Sequence, residues 1–269
     1  MNKGEPGRLA LWLSFPLAVF LAAASLGGLF LSSTYAEETR LRAAQSVGND
    51  AGNLALIVPV LLIAAVLALR GWVAARLVWM GALLYLVYDY TAYALALHFN
   101  SMFLAYCAVL GLSFYALAGT LASLPVEEVA RCYAPSAPAS VTAAVLLLMA
   151  LGTACHWLAE IVPALLAGRA PQAVRDAGLF TEPVAVLDLA FGAPACAIAA
   201  ILLLRRRSLG FVLGPVLLTF LALSSLVLAP MGMAMARRGF QAGHPLSVIG
   251  LGIAAGSAVL LALCLRRAG

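Results

Sequence analysis

Residues 53–70 read NLALIVPVLLIAAVLALR. Between Asn53 and Arg70 no side chain is charged or carries an amide. A run of about 20 apolar residues is what a helix needs to cross a hydrocarbon core roughly 30 Å thick. The same pattern recurs along the chain. Eight spans are predicted, at 9–31, 53–69, 74–97, 101–122, 141–162, 184–204, 209–230 and 246–265. The fold expected is all-α, a polytopic integral membrane bundle of eight transmembrane helices.

Composition agrees. Of 269 residues, 64% are hydrophobic and 10% charged, where a soluble domain is about half apolar and a quarter charged. That excludes a soluble globular domain, a disordered chain and a disulfide scaffold. The five cysteines form no Cys-x-x-Cys, and four sit in apolar runs as small buried hydrophobes. The one lysine, Lys3, precedes the first span. Neither a Walker-type phosphate loop nor a Schiff base on a membrane lysine is therefore available. The net charge of +5 does not point to nucleic acid, because the arginines are scattered at span ends.

Arginine and lysine placement also orients the chain. With both termini cytoplasmic, ten basic residues lie inside and six outside, and Arg205-Arg206-Arg207 is the densest group. The expectation is a multi-pass protein of the plasma or bacterial inner membrane. The first span exceeds the usual signal-peptide core of about 7–15 residues, so it reads as an uncleaved anchor. Residues 124–134 read as a short cytoplasmic helix, and Pro135-Ser136-Ala137-Pro138 as a flexible linker.

Sliding the chain on itself lays residues 53–70 over 188–205, and nine of the eighteen positions are identical. The identities include Pro59 with Pro194 and Arg70 with Arg205. Each copy is the second span of a four-span half and follows an outer loop, 32–52 or 163–183. A 4+4 tandem repeat is expected, with halves 1–135 and 136–269 related by an axis along the membrane normal.

Charged groups in the membrane cost about 2.5–3.5 kcal/mol each at a helix centre, so they tend to be functional. Asp89, Glu160 and Asp188 lie within spans, toward the outer side, and Asp50 just precedes span 2. Tyr85, Asp89 and Tyr93 recur every four residues and share one helix face. That face is either a polar cavity wall or part of an interfacial aromatic belt. His156 and Glu160 stand at i, i+4, a spacing that can place two ligands on one metal but more often marks a hydrogen-bonded pair. No His-Glu-x-x-His is present, no motif names a cofactor, and the metal question stays open. Asp188 stands six residues before Pro194, as Asn53 stands before Pro59. Gly192 and Pro194 are expected to interrupt the hydrogen-bond ladder there, as in the discontinuous helices of transporters.

The candidate substrate- or ion-binding set is Asp89, Glu160, Asp188, Tyr85, Tyr93, Asn53 and His156, facing one outward carboxylate-lined cavity. The function expected is transport of a small solute or ion, coupled to protons. The alternatives are a membrane enzyme acting on a lipid or isoprenoid, and a non-catalytic assembly partner. The lipid bilayer is the expected partner. Gly252-x-x-x-Gly256 permits close helix approach, within the bundle or in a homo-oligomer.

Overall fold

A computed structural model describes residues 5–134 and 137–266. Pro135 and Ser136 of the expected linker, and the boundary between the two expected halves, lie outside them. Ten helices follow in chain order: α1 (Arg8–Phe30), α2 (Arg40–Leu69), α3 (Val73–Ala96), α4 (Phe103–Ser123), α5 (Val126–Tyr133), α6 (Ala139–Leu166), α7 (Gln172–Ala177), α8 (Pro183–Leu204), α9 (Ser208–Arg237) and α10 (Gly243–Cys264). All but α5 and α7 are long and apolar enough to cross a membrane, which makes eight among the described residues. The described residues contain no strand. The chain is an all-α, multi-pass membrane protein.

Helices answer a backbone problem. In hydrocarbon every N–H and C=O must find a partner within the protein, and a helix pairs them within one segment. Successive crossings place residues 31–39, 97–102, 167–182 and 238–242 on one side, the Tyr35 face. Residues 70–72, 124–134, 137–138 and 205–207 fall on the other, the Arg206 face. Gly71 and Gly168 take left-handed backbone, at φ 92° and 61°, to end α2 and α6.

The interior is built around α3 and α9. Helix α9 packs on α2, α3, α8 and α10, and α3 packs on α2, α4 and α9. Trp79 of α3 is fully buried and donates to Ser14 Oγ of α1 at 2.7 Å. A Cβ at Gly48 would strike the backbone of Met231 and Pro230, so α2 and α9 cross at backbone contact there. The outer surfaces of α4, α8 and α10 expose apolar side chains such as Leu104, Ile198 and Val248, as a lipid-facing surface requires.

Three expectations are corrected. Residues 40–52 are not loop but the first thirteen residues of α2. Thr39 caps them by accepting from the Arg42 N–H at 3.2 Å. Their polar side is turned inward, so a hydropathy ruler passes over a helix that the bundle satisfies. Helix α9 runs to Arg237, past Pro230, because a membrane helix keeps its course through a proline when its neighbours hold it. Gly192 and Pro194 do not break α8 either. The turns Asn53–Ile57 in α2 and Asp188–Gly192 in α8 are each one residue wider than α-helix. They close with Val58 N–H to Asn53 C=O and Ala193 N–H to Asp188 C=O. A proline lacks a donor and its ring crowds the carbonyl four residues back. Inserting one residue in the preceding turn moves that carbonyl away and leaves the helix continuous. The two wide turns fall at the same register of the aligned segments 53–70 and 188–205.

Gly252 and Gly256 have nothing within 4 Å of where a Cβ would stand. Internal packing of α10 uses Gly243 and Gly250 instead, against Gly232 and Ser225 of α9.

Candidate functional site

Helix α2 presents Asn49, Asp50 and Asn53 to α3 from the turn that leads into its wide segment. The Asn49 amide donates to both oxygens of Asp89, each at 3.0 Å, and to the Tyr93 hydroxyl at 3.1 Å. Asn53 donates to Asp89 Oδ2 at 2.9 Å and accepts from the Tyr85 hydroxyl at 2.8 Å. Asp89 is thus met on both oxygens by N–H groups that can only donate, an arrangement that favours the charged form of a carboxyl group. It is partly exposed, whereas Asn49, Asn53, Tyr85 and Tyr93 are buried.

Behind this group lies Asp50, at 0% exposure. Its Oδ2 accepts from the Tyr35 hydroxyl at 2.5 Å and its Oδ1 stands 3.2 Å from the Tyr93 hydroxyl. Gly28 of α1 covers it so closely that a Cβ there would overlap the Asp50 carboxyl and the Tyr35 hydroxyl. Burial and the neighbouring Asp50 push the Tyr35 phenol upward, so it acts as a hydrogen-bond donor across the working pH range.

A second polar group belongs to α8. Asp188 is half-buried, and accepts from the Tyr88 hydroxyl at 2.9 Å and from Trp157 Nε1 at 2.8 Å. Tyr88 precedes Asp89 on α3. One helix therefore carries Asp89 toward α2 and, on the next residue, a phenol toward Asp188. The fields of both carboxylates, and of Glu182, act on that phenol. Glu182 caps α8 by accepting from the Val184 N–H at 3.3 Å. Burial raises its carboxyl above the ordinary glutamate value, against the opposing pull of that N–H and of Arg42.

Beside Asp188, a cavity of about 680 Å³ lies between the end of α6, α7 and the start of α8. Ile161, Leu165, Val174, Phe180 and Leu189 give it apolar walls, with Arg169 and Glu182 as its charged members. None of the seven predicted residues lines it.

The structure brings Asn53, Tyr85, Asp89 and Tyr93 into one hydrogen-bonded cluster, and links Asp188 to the next residue along α3. Burial takes Tyr85 and Tyr93 out of any interfacial belt. Glu160 stands apart from the cluster and accepts from the Ala173 N–H at 3.3 Å. His156 is exposed, against the Trp157 ring. Among the described residues, no three of His, Cys, Asp and Glu converge as a metal set. The predicted set omitted Tyr35, Asn49, Asp50, Tyr88 and Trp157. The polar trio Asn49-Asp50-x-x-Asn53 was the signal for two of them. Tyr35 and Trp157 join through tertiary contacts that no spacing encodes.

No protein-family model matches this chain, and no curated protein or solved structure matches it.

Proposed function

We propose that the protein is a carrier for a small solute or ion, coupled to protons, with Asp89 as the carboxylate that meets the translocated species. One observation carries this reading. Asp89 sits within a membrane span, partly exposed, in a cradle of amide donors that favours its charged form. An intramembrane carboxylate costs several kcal/mol unless it has work to do. A purely structural role is served better by an apolar side chain of similar volume. Asp188, across Tyr88, is the second polar contact, and Tyr85, Tyr93 and Asn53 hold the first in place. Glu160 and His156 lie at the Tyr35 face, where they shape entry.

The Tyr35 face is the outer one in this reading and both termini are cytoplasmic, in the plasma or bacterial inner membrane. A membrane-impermeant thiol reagent then reaches an engineered cysteine at Asp176 but not one at Arg206, both exposed positions. The shared register of the two wide turns supports residues 1–135 and 136–269 as two copies of one four-helix half. The open flank at Gly252 and Gly256 leaves room for a second copy of the chain.

The test is flux in reconstituted vesicles carrying a pH-sensitive dye, challenged with a panel of small cations, amines and amino acids. A solute that moves protons through the wild type and not through Asp89→Asn supports the reading. Equal flux through both, or none with any solute, overturns it. A second reading, an enzyme acting on a lipid or isoprenoid, draws on the 680 Å³ cavity, whose apolar walls suit an acyl or prenyl chain. Turnover of such a lipid, lost on blocking that cavity with Ala185→Trp, would favour it instead.

A further inference from the structure

Counting hydrogens around Asp50 leads beyond Asp89. Tyr93 has one hydroxyl proton and two acceptors within reach, Ser46 C=O and Asp50 Oδ1, both at 3.2 Å. The Asn49 amide already donates to the Tyr93 oxygen and cannot reverse, because its nitrogen also holds Asp89. If the Tyr93 proton goes to Ser46, the contact with Asp50 closes only when the carboxyl brings a proton of its own. The Tyr35 contact, at 2.5 Å, lies at the short end of the range for O–H···O bonds.

The surroundings offer no other neutralising charge. The elements packed around Asp50 contribute Ser25 and Gly28 from α1, Tyr35 from the α1–α2 connection, Asp89, Tyr90 and Tyr93 from α3, and Tyr106 from α4. The charge among them is Asp89, of the same sign. Arg42, the basic residue of this region, acts on Asp89 and Glu182. Helix α9 meets α2 here through Val227, Pro230 and Met231, none of which titrates. There is also no space for a metal ion against Asp50 Oδ2, since Tyr35 bonds to it and the Gly28 backbone covers it.

Three more hydroxyls converge on the same pocket. Those of Ser25, Tyr90 and Tyr106 are buried, at 0%, 0% and 1% exposure of their residues. Ser25 faces the Tyr90 hydroxyl, and Tyr35 and Asn100 face that of Tyr106. The rings of Tyr90, Tyr93 and Tyr106 pack together at centroid separations of 5.2–5.9 Å. Together they surround the carboxyl with hydroxyls that can each donate or accept.

We propose that Asp50 is an occluded proton-binding site, separate from Asp89, and that Tyr35 is its gate toward the Tyr35 face. The division of labour follows from the donors. Asp89 meets amides, which only donate to it and favour its charged form. Asp50 meets phenols, which can donate or accept and so tolerate both of its protonation states. The proposal rests on the transport reading for what the proton does, namely to be the coupled ion, but not for its presence on Asp50.

Infrared spectroscopy of the full-length protein in liposomes at neutral pH tests occupancy without any solute. The protonated-carboxyl C=O band should be present in wild type and in Asp89→Asn, and its Asp50 component lost in Asp50→Asn. Tyr35→Phe should shift that component to higher wavenumber, because one hydrogen bond to the carboxyl is gone. This second variant carries the test if Asp50→Asn does not fold. Retention of the full band in Asp50→Asn, its loss in Asp89→Asn, or an unshifted band in Tyr35→Phe each overturns the proposal. A band that behaves as expected beside absent solute-driven flux leaves the proton site standing and removes the transport reading.

Discussion

The wide turns at Asn53–Ile57 and Asp188–Gly192 are the same backbone device in opposite settings. Each precedes a proline by two residues and opens with a polar side chain that reaches α3. The first is sealed. Asn53 is fully buried, Gly52 beside it touches Val227 and Pro230 of α9, and every polar neighbour is another protein group. The second is open. None of its five residues is buried, Phe191 projects outward, and a 680 Å³ cavity adjoins it. One geometry thus holds a carboxylate cradle rigid in one place and borders an accessible surface in the other. What differs is the covering helix: α9 lies across α2 at backbone contact, while the cavity side of α8 meets only the ends of α6 and α7.

The largest contrast is expected at the glycines. A methyl group at Gly48 has only backbone to push against, so Gly48→Ala should cost about 1–3 kcal/mol or more, the range for overpacking. Gly192 has helical φ and ψ, and its Cβ would stand 3.5 Å from Asp188, an ordinary contact. Gly192→Ala should cost nothing and stabilise by up to about 1 kcal/mol. Thermal unfolding in detergent measures both, and similar losses would erase the distinction between sealed and open turns.

The hydrogen-bond partners sharpen the same contrast. Asn53→Ala strands the buried Tyr85 hydroxyl and removes one donor from Asp89, for an expected loss of about 1–3 kcal/mol. Trp157→Phe removes one donor from the half-buried Asp188, which water can replace, and should cost at most about 1 kcal/mol. A larger loss from Trp157→Phe would mean that the α8 region is sealed in the membrane.

The smallest effect is a pH dependence from Glu182 on the open side. Its carboxyl lies above the ordinary value of 4.5 because burial penalises the charged form. The protonated form is therefore favoured on folding. The contribution to stability is full below the ordinary glutamate value and is lost as pH rises through the raised folded value. Glu182→Gln should flatten that part of the melting-temperature profile. Partial exposure keeps the change small, and an unchanged profile would remove Glu182 from the account.

Much of this was readable beforehand. Eight spans follow from run length alone. The shared face of Tyr85, Asp89 and Tyr93 follows from a spacing of four on a helix. The alignment of Asn53 with Asp188, each six residues before a proline, picks out where both wide turns begin but predicts an interruption there. What stayed hidden depends on tertiary contact. Residues 40–52 carry Arg40, Arg42, Gln45, Asn49 and Asp50, so their mean hydropathy reads as loop although α3 and α9 bury the polar side. The wide turn was read as a break, since sequence registers the missing donor of a proline but not the extra residue that absorbs it. Tyr88 and Asp188 are 100 residues apart, and only packing of α8 on α3 joins them.

The central claim is that the Asp50 end of the polar system is occluded and the Asp188 end accessible. Carboxyl modification in native membranes tests it directly. The full-length protein is treated with a water-soluble carbodiimide and an amine, and each site is read by mass spectrometry. The account predicts substantial modification of Asp188 and Glu182, and of Asp50 only after detergent unfolding. Modification of Asp50 in the folded protein at the rate of Asp188 would contradict it.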